Sequence, residues 1–136
     1  MATFVFTDGF VSINSVTLST RVKSVTLNYE ADSVENTGMG VGSRSFLAGL
    51  KTWSIDVEFN QDFAAANVDA TMFPLVGAAE FPIELRPTTA VASAANPKFT
   101  GNCILEKYGP LAGGVGDLAM VTATLKGSGI LTRATV

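Results

Sequence analysis

The chain has 136 residues, of which 47% are hydrophobic and only 15% charged, with a net charge of −3. That length is enough for one core without staples, and the acidic balance argues against a basic surface that grips or reads nucleic acid. An average soluble domain is about a quarter charged, so a chain this apolar is expected to bury surface against other subunits.

No apolar run approaches the roughly 18 residues of a membrane helix, because charge, Gly or Pro interrupts each one. The first residues lack the basic segment and long apolar core of a secretory signal, and export by that route is not expected. The alternative to an assembling subunit is a Gly- and Ala-rich monomer whose hydropathy is inflated by small residues.

In chain order, Thr3 to Thr7 reads as a short strand closed by Asp8-Gly9, a turn pair that suits a hairpin into Phe10–Ser15. Val16 and Leu18 continue the β character. Over Thr20 to Glu30, Val25, Leu27 and Tyr29 face one way and Ser24, Thr26, Asn28 and Glu30 the other, the period of a half-wet strand.

Residues 31–50 break this pattern. They carry Gly38, Gly40, Gly42 and Gly49 with little periodicity, and a connection this long is generally functional or disordered. Its apolar members, Val34, Met39, Val41, Phe46 and Leu47, argue against a solvated linker. The glycines do not cradle phosphate, since no Gly-Lys-Ser/Thr follows and no strand leads into a helix. They are expected to let the loop, with Arg44 in it, bend and pack onto a neighbour.

The pattern returns at full strength in Lys51 to Gln61. Trp53, Ile55, Val57 and Phe59 alternate with Thr52, Ser54, Asp56, Glu58 and Asn60, which predicts a strand lying across the core with a wet opposite face. Next, Asn67 is a suitable N-cap and Asp69 sits in the first turn. Val68, Met72 and Leu75 share a face, and Pro74 with Gly77 ends the element, so one short helix is expected over 67–76.

Phe81, Ile83 and Leu85 alternate with Pro82, Glu84 and Arg86, a strand halted at Pro87. Thr88 to Pro97 reads as a loop. Lys98 to Tyr108 is the next strand, with Phe99, Gly101, Cys103 and Leu105 on one side. Residues 109–117 form a turn-rich connector. Leu118 to Lys126 is the last strong strand, with Val121, Ala123 and Leu125 inward and Thr122, Thr124 and Lys126 outward. The tail from Gly127 is expected to add a short edge strand. The elements make a mainly β fold, an antiparallel sandwich or barrel with one flanking helix. Its expected core is Val25, Leu27, Tyr29, Trp53, Ile55, Val57, Phe59, Met72, Ile83, Leu85, Val121 and Leu125.

Little chemistry is available. The sequence has no His and one Cys, which removes the commonest general base, the Ser-His-Asp arrangement and the usual zinc ligands. Cys103 is read as a small buried hydrophobe. Asp56 and Glu58 share a strand face, but their spacing is too generic for a glycosidase pair and lacks the oxygen cluster of a calcium loop. No cofactor is expected and an enzyme is disfavoured.

Several stretches together resemble the tail tube (major tail) proteins of long-tailed bacteriophages. They are Phe46-Leu-Ala-Gly-Leu-Lys-Thr-Trp-Ser-Ile-Asp-Val-Glu-Phe-Asn-Gln-Asp-Phe, Val68-Asp-Ala-Thr-Met-Phe-Pro-Leu-Val-Gly and Phe81-Pro-Ile-Glu-Leu-Arg-Pro. Asn96-Pro-Lys-Phe-Thr-Gly, Gly114-Val-Gly-Asp-Leu-Ala and Gly127-Ser-Gly-Ile-Leu-Thr-Arg continue the likeness, which runs in order over residues 20–133.

The resemblance implies one β-sandwich domain over 1–136 that forms hexameric rings, stacked into a tube down which double-stranded DNA passes without sequence-specific binding. It implies a virion protein assembled in the host cytoplasm, with itself, tape measure, terminator and distal tail proteins as partners and no membrane. The loop at 31–50 would reach the adjacent ring through Val34, Gly38, Met39, Gly40, Val41, Gly42, Arg44, Phe46 and Leu47. Glu30, Asp56 and Glu58 would line the lumen. Four inner strands from each of six subunits at about 4.8 Å give a circumference of roughly 115 Å and a backbone diameter of roughly 37 Å. The alternatives are a capsid decoration or other virion β-protein, and the tube of a contractile secretion machine.

Overall fold

The structure is a computed structural model and describes residues 3–136. Among these residues the strands are β1 (Phe10–Ile13), β2 (Val16–Thr17), β3 (Val22–Glu35), β4 (Phe46–Asn60), β5 (Phe81–Arg86), β6 (Lys98–Tyr108) and β7 (Met120–Ala134). They form one antiparallel sheet in the order β2-β1-β5-β6-β7-β4-β3.

The sheet curls around its own apolar face, and the sandwich-or-barrel expectation takes this form. Val11 and Ile13, near one edge, share a core with Ile55, Val57 and Phe59 of β4, while Val22, Val25 and Leu27 of the opposite edge strand pack against it. Two hydrogen bonds tie the turn that enters β3 to β1. The Leu18 N–H donates to Val11 O at 2.9 Å, and Ser19 Oγ accepts the Val11 N–H at 2.9 Å.

β4 behaves as its alternation predicts. Trp53, Ile55, Val57 and Phe59 are all buried, in register with Val25, Leu27 and Tyr29 of β3 and with Val121, Ala123 and Leu125 of β7. Ile83 and Leu85 of β5 and Met72 also lie in the core. Burial pushes the Cys103 thiol up to about 12, so it is an inert hydrophobe at neutral pH.

Tyr29 departs from the expected core. It pairs with Trp53, yet it is 53% exposed. The indole leans the other way, across β6 and β7, and leaves the edge position bare. There its Nε1–H donates to Gly129 O at 3.2 Å. A Cβ on Gly101 would stand 2.7 Å from the indole Cζ2, and one on Gly127 would collide with the fused edge of the ring.

Those glycines also explain why β7 is longer than expected. It runs unbroken to Ala134 instead of stopping at Lys126, since Gly127 makes room for Trp53 and Gly129 takes a positive φ of 90°. The tail is no separate edge strand. β7 pairs with both β4 and β6 in the middle of the sheet.

Three local expectations are corrected. Thr3–Thr7 is not a strand, and the tight turn is Asn14-Ser15, both left-handed at φ 50° and 67°, which joins β1 to β2 as a two-residue hairpin. The helix expected over 67–76 is α1 (Val68–Met72), followed by a tight 3-10 turn Phe73–Leu75 at Pro74. Asn67 occupies the N-cap position, but its side chain makes no capping bond; its carbonyl accepts the Thr71 N–H at 3.0 Å.

The third correction is the segment 31–50, which is not a structureless loop. β3 continues to Glu35 and β4 begins at Phe46, with Ser33, Val34 and Glu35 paired to Ala48, Leu47 and Phe46. A register shift lies between Ala31 and Ser33, next to Gly49, whose added Cβ would stand 3.1 Å from Asp32 Cβ. Such a bulge changes which residues share a face, and this erased the period-two signal.

Placing a methyl at Gly127 forces the rigid indole to move. Gly127→Ala is expected to lose about 1–3 kcal/mol, the usual range for overpacking a core. Urea unfolding should show a lower midpoint at unchanged slope, with a red shift in the emission of the chain's single Trp.

Candidate assembly surfaces

The side chains that sequence reasoning singles out lie on two surfaces, the wet face of the sheet and an arm beyond it. On the wet face, strand register sets Thr26, Asp56 and Thr124 in one row and Ser24, Glu58 and Thr122 in the next. Asp56 is exposed and accepts hydrogen bonds from both neighbours, Asn28 Nδ2 at 3.2 Å and Thr124 Oγ1 at 3.3 Å. Glu30 is on the same face, opposite Thr52, but four residues along β3 from Thr26, or about 13 Å at strand spacing.

The structure brings the three carboxylates onto one face without making that face acidic. Lys23 reaches over it, with Nζ 4.0 Å from Glu58 Oε1 and 3.6 Å from Met120 Sδ. Lys126 lies opposite Ser54, one row from Asp56, and Lys107 pairs with Thr124. Lys126 is legible from alternation. Lys23 and Lys107 are not, because each stands at a register shift where parity fails to assign a face.

The arm is the outer part of the β3–β4 hairpin. Every residue from 29 to 51 is exposed except the half-buried Thr37. Val34 and Leu47, paired across the ladder, are 53% and 58% exposed, and Phe46 is 56% exposed. The base of its tip is closed by short bonds: Asn36 N–H to Ser45 O at 3.0 Å, Ser45 N–H to Thr37 Oγ1 at 2.9 Å, and Ser45 Oγ to Asn36 Oδ1 at 2.7 Å. Beyond them Met39 is fully exposed and Gly40 turns the chain at φ 81°. Arg44 Nε lies 3.8 Å from Glu35 Oε2. A hairpin that shows apolar side chains to water around its circumference gains by covering them.

The opposite end of β4 is pinned by a polar network that the sequence does not reveal. Arg21 Nε donates to Asp62 Oδ2 at 2.8 Å, and Asp62 Oδ1 accepts the Ala64 N–H at 2.9 Å. Tyr108 Oη donates to Asp69 Oδ1 at 3.0 Å and accepts from Gln61 Nε2 at 3.1 Å. Burial raises the Tyr108 pKa, with Asp69 adding to the rise and Gln61 opposing it. Asn96 does a similar service for the 87–97 loop: buried, it accepts the Thr88 N–H at 3.0 Å and donates to Ala90 O at 2.9 Å.

No group of three or more metal-ligating side chains lies together among the described residues. No helix among them is long and apolar enough to cross a membrane.

No protein-family model and no curated protein sequence matches the chain. Solved structures do match. A chain in the virion of a native gene transfer agent particle superposes with TM-score 0.75 at 13% identity, covering 97% of this chain and 99% of that one. The shared property is the fold. A chain in the tail of an empty gene transfer agent particle, refined helically with C6 symmetry, gives 0.66 at 16% identity over 82% and 81%. A chain in the extended sheath-tube complex of the extracellular contractile injection system PVC gives 0.73 at 14% identity over 99% and 93%.

Asp62 makes the network pH-sensitive in a defined direction. The Ala64 N–H and the Arg21 guanidinium hold its carboxyl below the ordinary 3.8, with burial opposing them. A depressed folded pKa contributes stability above the unfolded value and loses it as pH falls through the folded value. The Ala64 amide resonance is therefore expected to be constant down to about pH 4 and to shift below it. Asp62→Asn should abolish that shift.

Proposed function

We propose that the chain is a structural, non-catalytic subunit that polymerises as stacked, hexameric rings into the tail tube of a phage or phage-like particle. The observation that carries this reading is the arm, exposed on all sides and apolar, on a body whose fold is found in a virion and in a tail with C6 symmetry. Such an element has no partner within its own chain and finds one in another copy. Head-to-tail contacts of this kind close into rings or run on as filaments. The tail of the particle is then its location, assembly in the host cytoplasm its origin, and terminator, tape measure and distal tail proteins its further partners.

In this reading the wet face of β3, β4 and β7 lines the lumen, and double-stranded DNA passes along it without sequence-specific contact. A wall of interspersed carboxylates and lysines neither condenses on phosphate as a basic wall does nor repels it strongly. The opposite charges offset one another locally, and salt with a Debye length of about 8 Å screens what field remains beyond the wall. A conduit needs weak contact in both directions of travel. The likeness to a sheath-tube complex chain favours a second reading, the tube of a contractile injection machine.

Negative-stain microscopy with sedimentation of the purified chain tests the proposal. Rings or hollow tubes are expected, in a concentration-dependent equilibrium. A compact monomer at every accessible concentration contradicts it.

The lumen assignment has its own test. Asp56→Lys together with Glu58→Lys makes the balanced wall strongly basic. Particles carrying both changes should assemble tubes of normal length but transfer DNA slowly or not at all. Normal transfer through such tubes would show that this face lies elsewhere.

A further inference from the structure

The arm leaves one end of β4, and a second unpartnered surface lies at the other. There the connector of residues 109–119 joins β6 to β7 over the end of β4. Gln61 holds it in place, with Nε2 donating to Pro110 O at 2.7 Å and its backbone N–H to Ala119 O at 3.0 Å. Gly113 and Gly116 take φ of 137° and 86°, and the Asp117 N–H closes on Gly114 O at 3.2 Å. The connector thereby curls into a shallow open basin of about 350 Å³, lined by Leu111, Ala112, Gly113, Gly114, Asp117 and Ala119. Leu111 and Leu118 are 82% and 67% exposed.

We propose that this basin receives the arm tip of a second copy, with Met39 seated against Leu111 and Arg44 paired with Asp117. The inference rests on the tube reading and names the surface that the arm engages. Three observations favour that occupant. The tip, residues 36–45, carries a single charged side chain, Arg44, which stays 80% exposed in its loose 3.8 Å pair with Glu35 at the tip's base, and the connector 109–119 carries a single one of opposite sign, Asp117. Both segments present exposed apolar side chains, Met39 and Val41 on one, Leu111 and Leu118 on the other. Finally, the two surfaces sit beyond opposite ends of a fifteen-residue strand, which spans about 45–50 Å, so one copy cannot close the contact on itself. The contact is heterologous and propagates along the strand direction. Each junction is small, and repetition around a ring makes the set strong through effective concentration.

Charge reversal tests the pairing. Arg44→Glu and Asp117→Lys, each alone, should raise the concentration needed for polymerisation by about tenfold or more, since each places like charges together. Combined in one chain they should restore it toward the unaltered value. Both sites are exposed, and unchanged circular dichroism confirms the fold. Single variants that polymerise like the unaltered chain overturn the pairing, as does a double variant that fails to recover.

An independent readout keeps the basin itself testable. Chains with Met39→Cys are mixed with chains carrying Leu111→Cys, while buried Cys103 stays out of reaction. With a mild oxidant added to take up the two thiol electrons, a disulfide-linked pair formed only in the polymer is expected. Polymers without that product overturn the basin as the arm's seat and leave the tube reading standing, whereas a chain that never polymerises overturns both.

Discussion

The structure depends on one packing event, the indole of Trp53 lying across β6 and β7. The ring needs two positions without side chains beneath it, and Gly101 and Gly127 supply them. Its Nε1–H is satisfied by Gly129 O, a carbonyl presented by the same glycine-rich stretch. Burying a Trp contributes several kcal/mol of the small net stability of a domain. This contact fixes β7 against β4 and forces β7 to run on beneath the ring. It also stands at the boundary between body and arm. Below Trp53, β4 is core; above Lys51, the same strand is exposed. The arm is thus a continuation of the most firmly anchored strand.

That continuity bears on assembly energetics. A floppy loop that orders on docking loses about 1–2 kcal/mol per residue of backbone freedom, and a tip bearing three glycines would lose the most. Here the ladder from Ser33 to Glu35 and the bonds around Asn36, Thr37 and Ser45 have already organised much of the segment. A preorganised arm keeps more of the apolar burial at a junction as binding free energy. The bulge at Gly49 sets its direction, since bulges bend and twist the strand that carries them.

Much of the body was legible because β4 alternates without fault, and because Pro74 and Gly77 punctuate the helix. What was hidden lay where regularity is interrupted for a reason. The bulge beside Gly49 disguised two strand ends as a loop. Gly127 and Gly129 read as a strand terminator, since nothing local says that an indole will rest on them. Tyr29 carries the right parity for the core but sits on the sheet's edge strand, and burial depends on position in the sheet as well as on facing. The carboxylates Glu30, Asp56 and Glu58 were visible together, as was Lys126, yet Lys23 and Lys107 were not, because those two occupy irregular ladder positions. The face that alternation marks with carboxylates is mixed in charge. Asn96 and the Asp62 network are products of long-range contact, with no sequence signature of their own.

The most direct measurement is a helical reconstruction of the assembled polymer at side-chain resolution. The account requires β3–β4 arms that cross from one layer of subunits to the next, with Asp56, Glu58 and Lys126 facing the channel. Arms folded back along their own bodies, or those three side chains on the outer surface, would contradict it.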